Sequence, residues 1–210
     1  MRADRRTSIL KAAARVIARR GVRGLRVSEI ATEAGVSTAL VYYHFKDRAG
    51  ILRLTMEFIS DRAERYTAGP GGSGSGGSSP DPGPDPGLAA RQELERSLLL
   101  EFQDRPEVRE NSTAWGELRA TAVFDPELRE ALAEARLVWI GELTDTLGRI
   151  HRTAPGTALT ASAERLTAAL EGLSMRWLSE VLSLAHAREL MSEAIAVELA
   201  YLRSAAPTFD

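Results

Sequence analysis

Residues Val27–Leu52 read VSEIATEAGVSTALVYYHFKDRAGIL, and the spacing inside this stretch decides the fold. Ile30, Ala31 and Ala34 recur at three- and four-residue intervals, which puts them on one face of a short helix. Gly35 stands where a left-handed residue is wanted to end that helix, because glycine has no Cβ to clash with the turning chain. Val36 is placed to plug the corner. Ser37 suits the N-cap of a second helix, since its hydroxyl can accept from a free backbone N–H two or three residues on. The second helix directs Leu40, Val41 and Phe45 to a core and leaves Thr38, Ala39, Tyr43 and His44 turned outward. Two helices joined by a tight glycine-containing turn make a helix-turn-helix, whose second helix can lie in the major groove of DNA.

The residues on either side complete a small helical head. Met1–Arg20 is predicted as a helix with Ile9, Ala13, Val16 and Ile17 as its apolar stripe. Arg2, Arg5 and Arg6 precede the stripe, within reach of a minor groove or phosphate, or else form a solvated terminus. Gly21 and Gly24 break the helix, Leu25 and Val27 anchor the connection, and Ser28 caps the next helix better than Val27. Asp47 opens a fourth helix, Arg48 to about Tyr66, with Ile51, Leu52, Thr55, Phe58, Ile59 and Ala63 inward. Three helices in under 50 residues bury too little surface to stand alone, so the fourth completes the core.

The segment IATEAGVSTALVYYHFKDRAGIL resembles the signature of the TetR family of bacterial transcriptional regulators. The resemblance rests on Ile30-Ala31, Ala34-Gly35-Val36-Ser37, the Tyr42-x-His44-Phe45 cluster, Lys46-Asp47-Arg48 and Ile51-Leu52. It implies that Tyr42, His44 and Lys46 contact backbone phosphates, which set register without reading sequence. Arg48 stands where the family usually has Lys; it keeps the charge for a phosphate contact with altered geometry. Ser37, Thr38 and Ala39 lie at the end of the recognition helix that approaches base edges, and Tyr43 is its largest outward side chain. Ser28, at the start of the preceding helix, joins this DNA-facing set. Trp115–Leu132 (WGELRATAVFDPELREAL) and Ala168–Leu178 (AALEGLSMRWL) are similar to the C-terminal domain of the family's choline-sensing betaine-pathway repressor branch.

Charge divides along the chain. Residues 1–66 carry 14 Lys and Arg against 7 Asp and Glu, whereas residues 67–210 carry 13 against 22, within a net charge of −2. A basic end on an acidic body suits a head that meets nucleic acid. There is no cysteine, which rules out disulfides and thiolate metal sites. The three histidines, His44, His151 and His186, have no metal-ligand spacing. No apolar run is long enough to span a bilayer, and charge at the N-terminus is not followed by the apolar stretch of a secretory signal. A cytoplasmic protein without cofactor or metal is expected. No nucleophile elbow, phosphate loop or catalytic carboxylate pair is evident, so an enzyme is not expected.

The chain divides into a helix-turn-helix domain (1–47), a connecting helix (48–66), a Gly/Ser/Pro insertion (67–87) and an effector-binding and dimerisation domain (88–205). The insertion, AGPGGSGSGGSSPDPGPDPG over Ala68–Gly87, has almost no apolar side chain to offset ordering entropy and reads as disordered. Beyond it, Leu94, Leu98 and Phe102 stripe a fifth helix. A sixth, about Pro106 to Val123, turns Val108, Trp115, Leu118 and Ala122 inward. Asp125-Pro126-Glu127 starts a seventh, to about His151, with Leu128, Leu132, Val138, Trp139, Leu143, Leu147 and Ile150 inward. An eighth, about Thr160 to Leu182, carries Leu166, Leu170, Leu173, Trp177 and Val181. A ninth, about Leu184 to Arg203, carries Leu190, Ile195, Leu199 and Leu202.

The expected fold is therefore all-α, with about nine helices. The expected function is a homodimeric repressor that binds a palindromic double-stranded operator and is released by a small-molecule effector. An activator or ligand-independent regulator shares every head feature. A helical module docking on protein or membrane is the reading from another class. Helices eight and nine are expected to pair with the same helices of a second subunit, through Leu166, Leu170, Leu173, Leu190, Ile195 and Leu199. Phe102, Trp115, Phe124, Trp139, Met175 and Trp177 are the candidates to line an apolar effector cavity among helices five to eight.

Overall fold

The computed structural model describes residues 2–67 and 85–205, and every regular element among them is an α-helix. In chain order these are α1 (Arg2–Arg20), α2 (Val27–Ala34), α3 (Thr38–Phe45), α4 (Arg48–Thr67), α5 (Pro86–Leu99), α6 (Pro106–Ala122), α7 (Pro126–Ile150), α8 (Gly156–Leu178) and α9 (Leu184–Ala205). The expected disorder of the insertion concerns residues 68–84, which lie outside the described residues. Its last residues are already helical: Asp85 caps α5, its carboxylate accepting from the Gly87 N–H at 3.1 Å, with Pro86 in the first turn.

The helices fall into two compact units, Met1–Ala63 with Asp104–Arg136, and Glu64–Gln103 with Leu137–Asp210. This division cuts across the one drawn from sequence, because α6 and the first part of α7 belong with the head. In the first unit Ile9, Ala13, Val16 and Ile17 are buried as their spacing predicts, but so are Leu10, Ala12 and Ala14. A helix apolar nearly all round needs cover on two sides. α6 supplies the second side, adding Ala114, Leu118 and Ala122 to the core formed with Ile30, Val41, Phe45, Ile51, Leu52 and Ile59. Alanines on both helices allow a close approach. Leu128 and Ala131 of α7 extend the same core.

The second unit is built on Leu94, Leu98 and Phe102, the C-terminal part of α7, and the α8–α9 pair. The end of α5 is tied down from a distance: Arg188 Nη1 donates to the carbonyls of Leu99 (3.0 Å), which also accepts the Phe102 N–H at 3.1 Å, and of Phe102 (2.8 Å) in the turn that follows. α7 starts as its sequence indicates, with the Asp125 carboxylate accepting from Glu127 and Leu128 N–H groups at 3.1 and 3.2 Å.

Several inward assignments are corrected. Val138 is 54% exposed, because it sits one residue off the face set by Leu128, Trp139, Leu143 and Leu147. Val181 is 77% exposed, because α8 stops at Leu178 and the chain reverses through Glu180 at φ +62°. Ser28 does not cap α2: the helix opens at Val27, with Arg26 at the N-cap and no side-chain cap bond. Leu166, Leu170, Ile195 and Leu199, expected to meet a second subunit, are buried in the chain's own core, and Leu173 and Leu190 are half-buried. α8 and α9 spend that stripe on each other and on the rest of their unit.

Candidate nucleic-acid interface

The turn between α2 and α3 has the geometry its residues demand. Gly35 adopts φ 66°, ψ 38°, and its N–H bonds back to the last carbonyls of α2. The Val36 N–H reaches the Ala31 carbonyl at 2.9 Å. Ser37 is extended, and its hydroxyl accepts from the Leu40 N–H at 3.2 Å, starting α3. Val41 and Phe45 are buried and Leu40 is half-buried, which fixes the rotation of α3 about its axis. That rotation leaves Ser37, Thr38, Ala39, Tyr42 and Tyr43 exposed, with Tyr43 the most open aromatic of the helix at 66%. His44 is half-buried, its ring 5.3 Å from Tyr43 and 6.1 Å from Phe45. Ser28 is exposed in the first turn of α2, and its carbonyl accepts from Thr32 Oγ1 at 2.9 Å.

α3 ends on a strained residue. Lys46 has φ 64° and ψ −62°, and the Asp47 N–H closes onto the Phe45 carbonyl at 2.8 Å. Asp47 then caps α4, its Oδ1 accepting from the Gly50 N–H at 2.7 Å. Arg48 is exposed, but its Nη2 donates inward to the Val22 carbonyl at 2.6 Å. The N–H of the same residue, Val22, donates to Glu117 Oε2 of α6 at 3.1 Å. Glu117 escaped the sequence reading. Gly21 beside it was legible as a helix breaker, but nothing local points to a carboxylate 95 residues from Val22.

Part of the basic charge is spent internally. Glu33 of α2 receives Arg15 Nε at 2.8 Å and Arg19 Nη2 at 2.6 Å, tying α1 to α2. The hydrogen bonds from Arg19 and Arg15 hold the Glu33 carboxyl below its ordinary value. Arg5, Arg6, Lys11, Arg23 and Arg26 are exposed. Arg23 and Arg26, in the turn before α2, were not singled out from sequence.

The second unit contains a groove of about 1170 Å³ along α5 and α7, reaching Leu159 of α8. Ala90, Leu143 and Trp139 give it apolar surface, and Glu93, Asp145 and Arg149 give it charge. Arg149 and Glu93 form a two-pronged pair at 2.8 and 2.8 Å, which keeps the Glu93 carboxyl low. The Trp139 indole N–H is held by Thr167 Oγ1 at 3.1 Å. Of the six residues proposed for a cavity, Trp139 alone lines this groove. Phe102 and Trp177 are buried core with ring centroids 6.3 Å apart. Met175 is exposed on α8. Trp115 is half-buried against the core of the first unit, and Phe124 is 80% exposed in the turn after α6. Among the described residues there is no cluster of metal-ligating side chains, and no helix is long and apolar enough to cross a membrane.

A helix-turn-helix with a packed inner face and an open outer one, on an all-helical body, defines a DNA-binding transcriptional regulator. Residues 9–63 match the family described as bacterial regulatory proteins, tetR family, and residues 90–200 match the BetI-type transcriptional repressor C-terminal domain. A TetR-family regulator from Rhodococcus sp. is 43% identical, with a TM-score of 0.79 over 94% of this chain and 99% of its own. The transcriptional regulator BetI of Escherichia coli is 25% identical over 190 residues, 87% of this chain and 85% of its own. A transcriptional regulator from Saccharomonospora viridis, solved in complex with choline, has the same fold, with 24% identity and a TM-score of 0.73 over 93% of this chain and 97% of its own. The chain belongs to the TetR family of bacterial transcriptional regulators. These families are regulators, not enzymes.

Proposed function

We propose that the protein is a homodimeric repressor that seats α3 of each subunit in the major groove of a palindromic operator and leaves it when a small molecule binds the body. The observation that carries this reading is the outer face of α3: Thr38, Ala39 and Tyr43 are exposed while Val41 and Phe45 of the same helix are buried. Hydroxyls can bond base edges, the Ala39 methyl can meet a thymine methyl, and Tyr42, His44 and Lys46 stand where phosphate contacts would set register. The likeness to BetI and the choline-bound neighbour support a small-molecule effector, for which we propose the α5–α7 groove. With the leucine stripe spent internally, the dimer face moves to the outer surfaces of α8 and α9. Ala168, Gly172 and Met175 on one helix and Val197 and Tyr201 on the other are exposed at helical spacing. Small residues there let helices from two subunits approach closely.

Nuclease footprinting on the DNA flanking the gene tests the reading. Wild type protects a palindrome whose half-sites lie about one helical turn apart or a multiple of it. Tyr43→Ala loses the footprint, and Val197→Arg yields a monomer that protects nothing. A monomeric wild type with no protected site would sink the proposal. A reporter fused to the same DNA, with and without the gene, fixes the sign of regulation, and a rise in expression caused by the protein would refute repression.

A further inference from the structure

We infer that Glu117 and Arg48 are positioning residues for operator binding, which together hold the Val22 peptide so that α6 sets where the helix-turn-helix stands; this rests on the reading of the head as operator-binding. Arg48 Nη2 donates to the Val22 carbonyl at 2.6 Å and so closes residues 22–48, the whole of α2, its turn and α3, into one loop. Glu117 Oε2 accepts the Val22 N–H at 3.1 Å and fastens that closure to α6. Both bonds involve a charged partner and are stronger than neutral ones. The Val22 side chain is buried, so the peptide cannot slide without leaving the core. Glycine at residue 21 leaves the carboxylate its present place, since a side chain there would push it aside. A Cβ there would lie 2.8 Å from Glu117 Oε2, and φ is +69°. α6 belongs to the segment matching the C-terminal regulatory domain, yet it packs on α1. A shift of α6 therefore carries the α1–α2 turn and, through Arg48, both ends of the helix-turn-helix.

Mobility shifts with the footprinted operator and with non-operator DNA of equal length, alongside urea unfolding, test this. Glu117→Ala lowers operator affinity by about tenfold or more, the size of one lost charge-assisted hydrogen bond. Its non-operator affinity stays at the wild-type value, because every phosphate-facing side chain remains. Glu117→Gln, which keeps an acceptor oxygen, falls between the two and decides the matter by the same comparison if the alanine variant does not fold. Arg48→Ala weakens operator binding with no change in salt slope, whereas loss of a phosphate contact would flatten that slope by about 0.9. The Arg48→Ala/Glu117→Ala double variant loses less than the sum of the singles, since both act through one peptide. The inference is overturned by folded Glu117 variants that bind operator like wild type, by equal losses on both DNAs, by additive losses, or by a flattened slope in Arg48→Ala. Wild type that prefers no DNA overturns the operator reading itself, and the clamp with it.

Discussion

The N–H of Asp47 donates to the carbonyl of Phe45 at 2.8 Å and leaves Lys46 between them at φ 64°, ψ −62°. A side chain with a Cβ rarely accepts this conformation, and the cost is about 1–3 kcal/mol. The turn leaves the Lys46 cation exposed while Phe45 stays in the core. Strain and charge at Lys46 can be separated by two substitutions. Lys46→Gly and Lys46→Ala both lose the cation, so both should bind operator more weakly and with a salt slope lower by about 0.9. Only glycine relieves the backbone, so Lys46→Gly should unfold at higher urea than Lys46→Ala, by roughly 1 kcal/mol. Equal midpoints would show that the turn relaxes without cost.

Two glycines in the same stretch differ in kind. Gly35 needs a positive φ, 66°, but a Cβ there would meet nothing within 4 Å. A Cβ on Gly50 would lie 2.3 Å from the Phe45 carbonyl oxygen, a collision with backbone. Gly35→Ala should therefore cost only the conformational penalty of about 1–2 kcal/mol. Gly50→Ala should cost more, because α3 and α4 must separate at their junction. Chemical denaturation of both variants checks the order, and a milder Gly50→Ala would contradict the packing described for that corner.

What the sequence made legible was local. Gly35, Ser37 and Asp125 each act through backbone groups within a few residues, so their roles follow from neighbours in the chain. Burial of Val41 and Phe45 followed from their spacing alone. The misses depend on distant partners. A leucine stripe says that a helix is covered without saying by what, so Leu166 and Ile195 read equally well as dimer face or subunit core. The attachment of α6 to the head rests on Ala114, Leu118 and Ala122 meeting α1, a pairing between segments about a hundred residues apart that no local pattern encodes. Lys46 carried no sign of its turn, because lysine is not a residue chosen for positive φ.

The α8–α9 pair is locked by Arg165 and Glu198. Arg165 Nε and Nη2 reach the two carboxylate oxygens at 2.6 Å each, Nη2 also donates to Ser162 Oγ at 3.1 Å, and the guanidinium stands 4.9 Å from the Tyr201 ring centre. Burial pushes the Glu198 carboxyl up, but hydrogen bonds from Arg165 and Ser162 outweigh it and leave it below its ordinary value. Arg165→Met strands a buried carboxylate and should destabilise by about 2 kcal/mol, the range for hydrogen bonds to charged groups. Arg165→Met/Glu198→Met removes both charges and should recover much of that loss. Urea unfolding of the two variants checks this, and a double variant no more stable than the single would place the cost in packing.

His151, at the end of α7, sets the pH at which the body begins to weaken. Its Nε2 is buried with no protein partner. Burial, then the positive charge of Arg203, lowers its pKa from the ordinary 6.5, opposed by a backbone hydrogen bond at Leu199. The unfolded chain therefore takes up this proton more readily than the folded one, so stability is intact above about 6.5 and falls as pH drops toward the lower folded value. Glu33, Glu93 and Glu198 have lowered carboxyls, and their contribution is lost only below the ordinary 4.5. Acidification should thus weaken the protein in two separate windows. His151→Gln, which carries no titrating proton, should abolish the upper window and leave the lower one unchanged. Thermal unfolding measured from pH 7.5 down to about 2 would show it as two declining steps in wild type and one in the variant; an unchanged upper step in His151→Gln would assign that loss to another group.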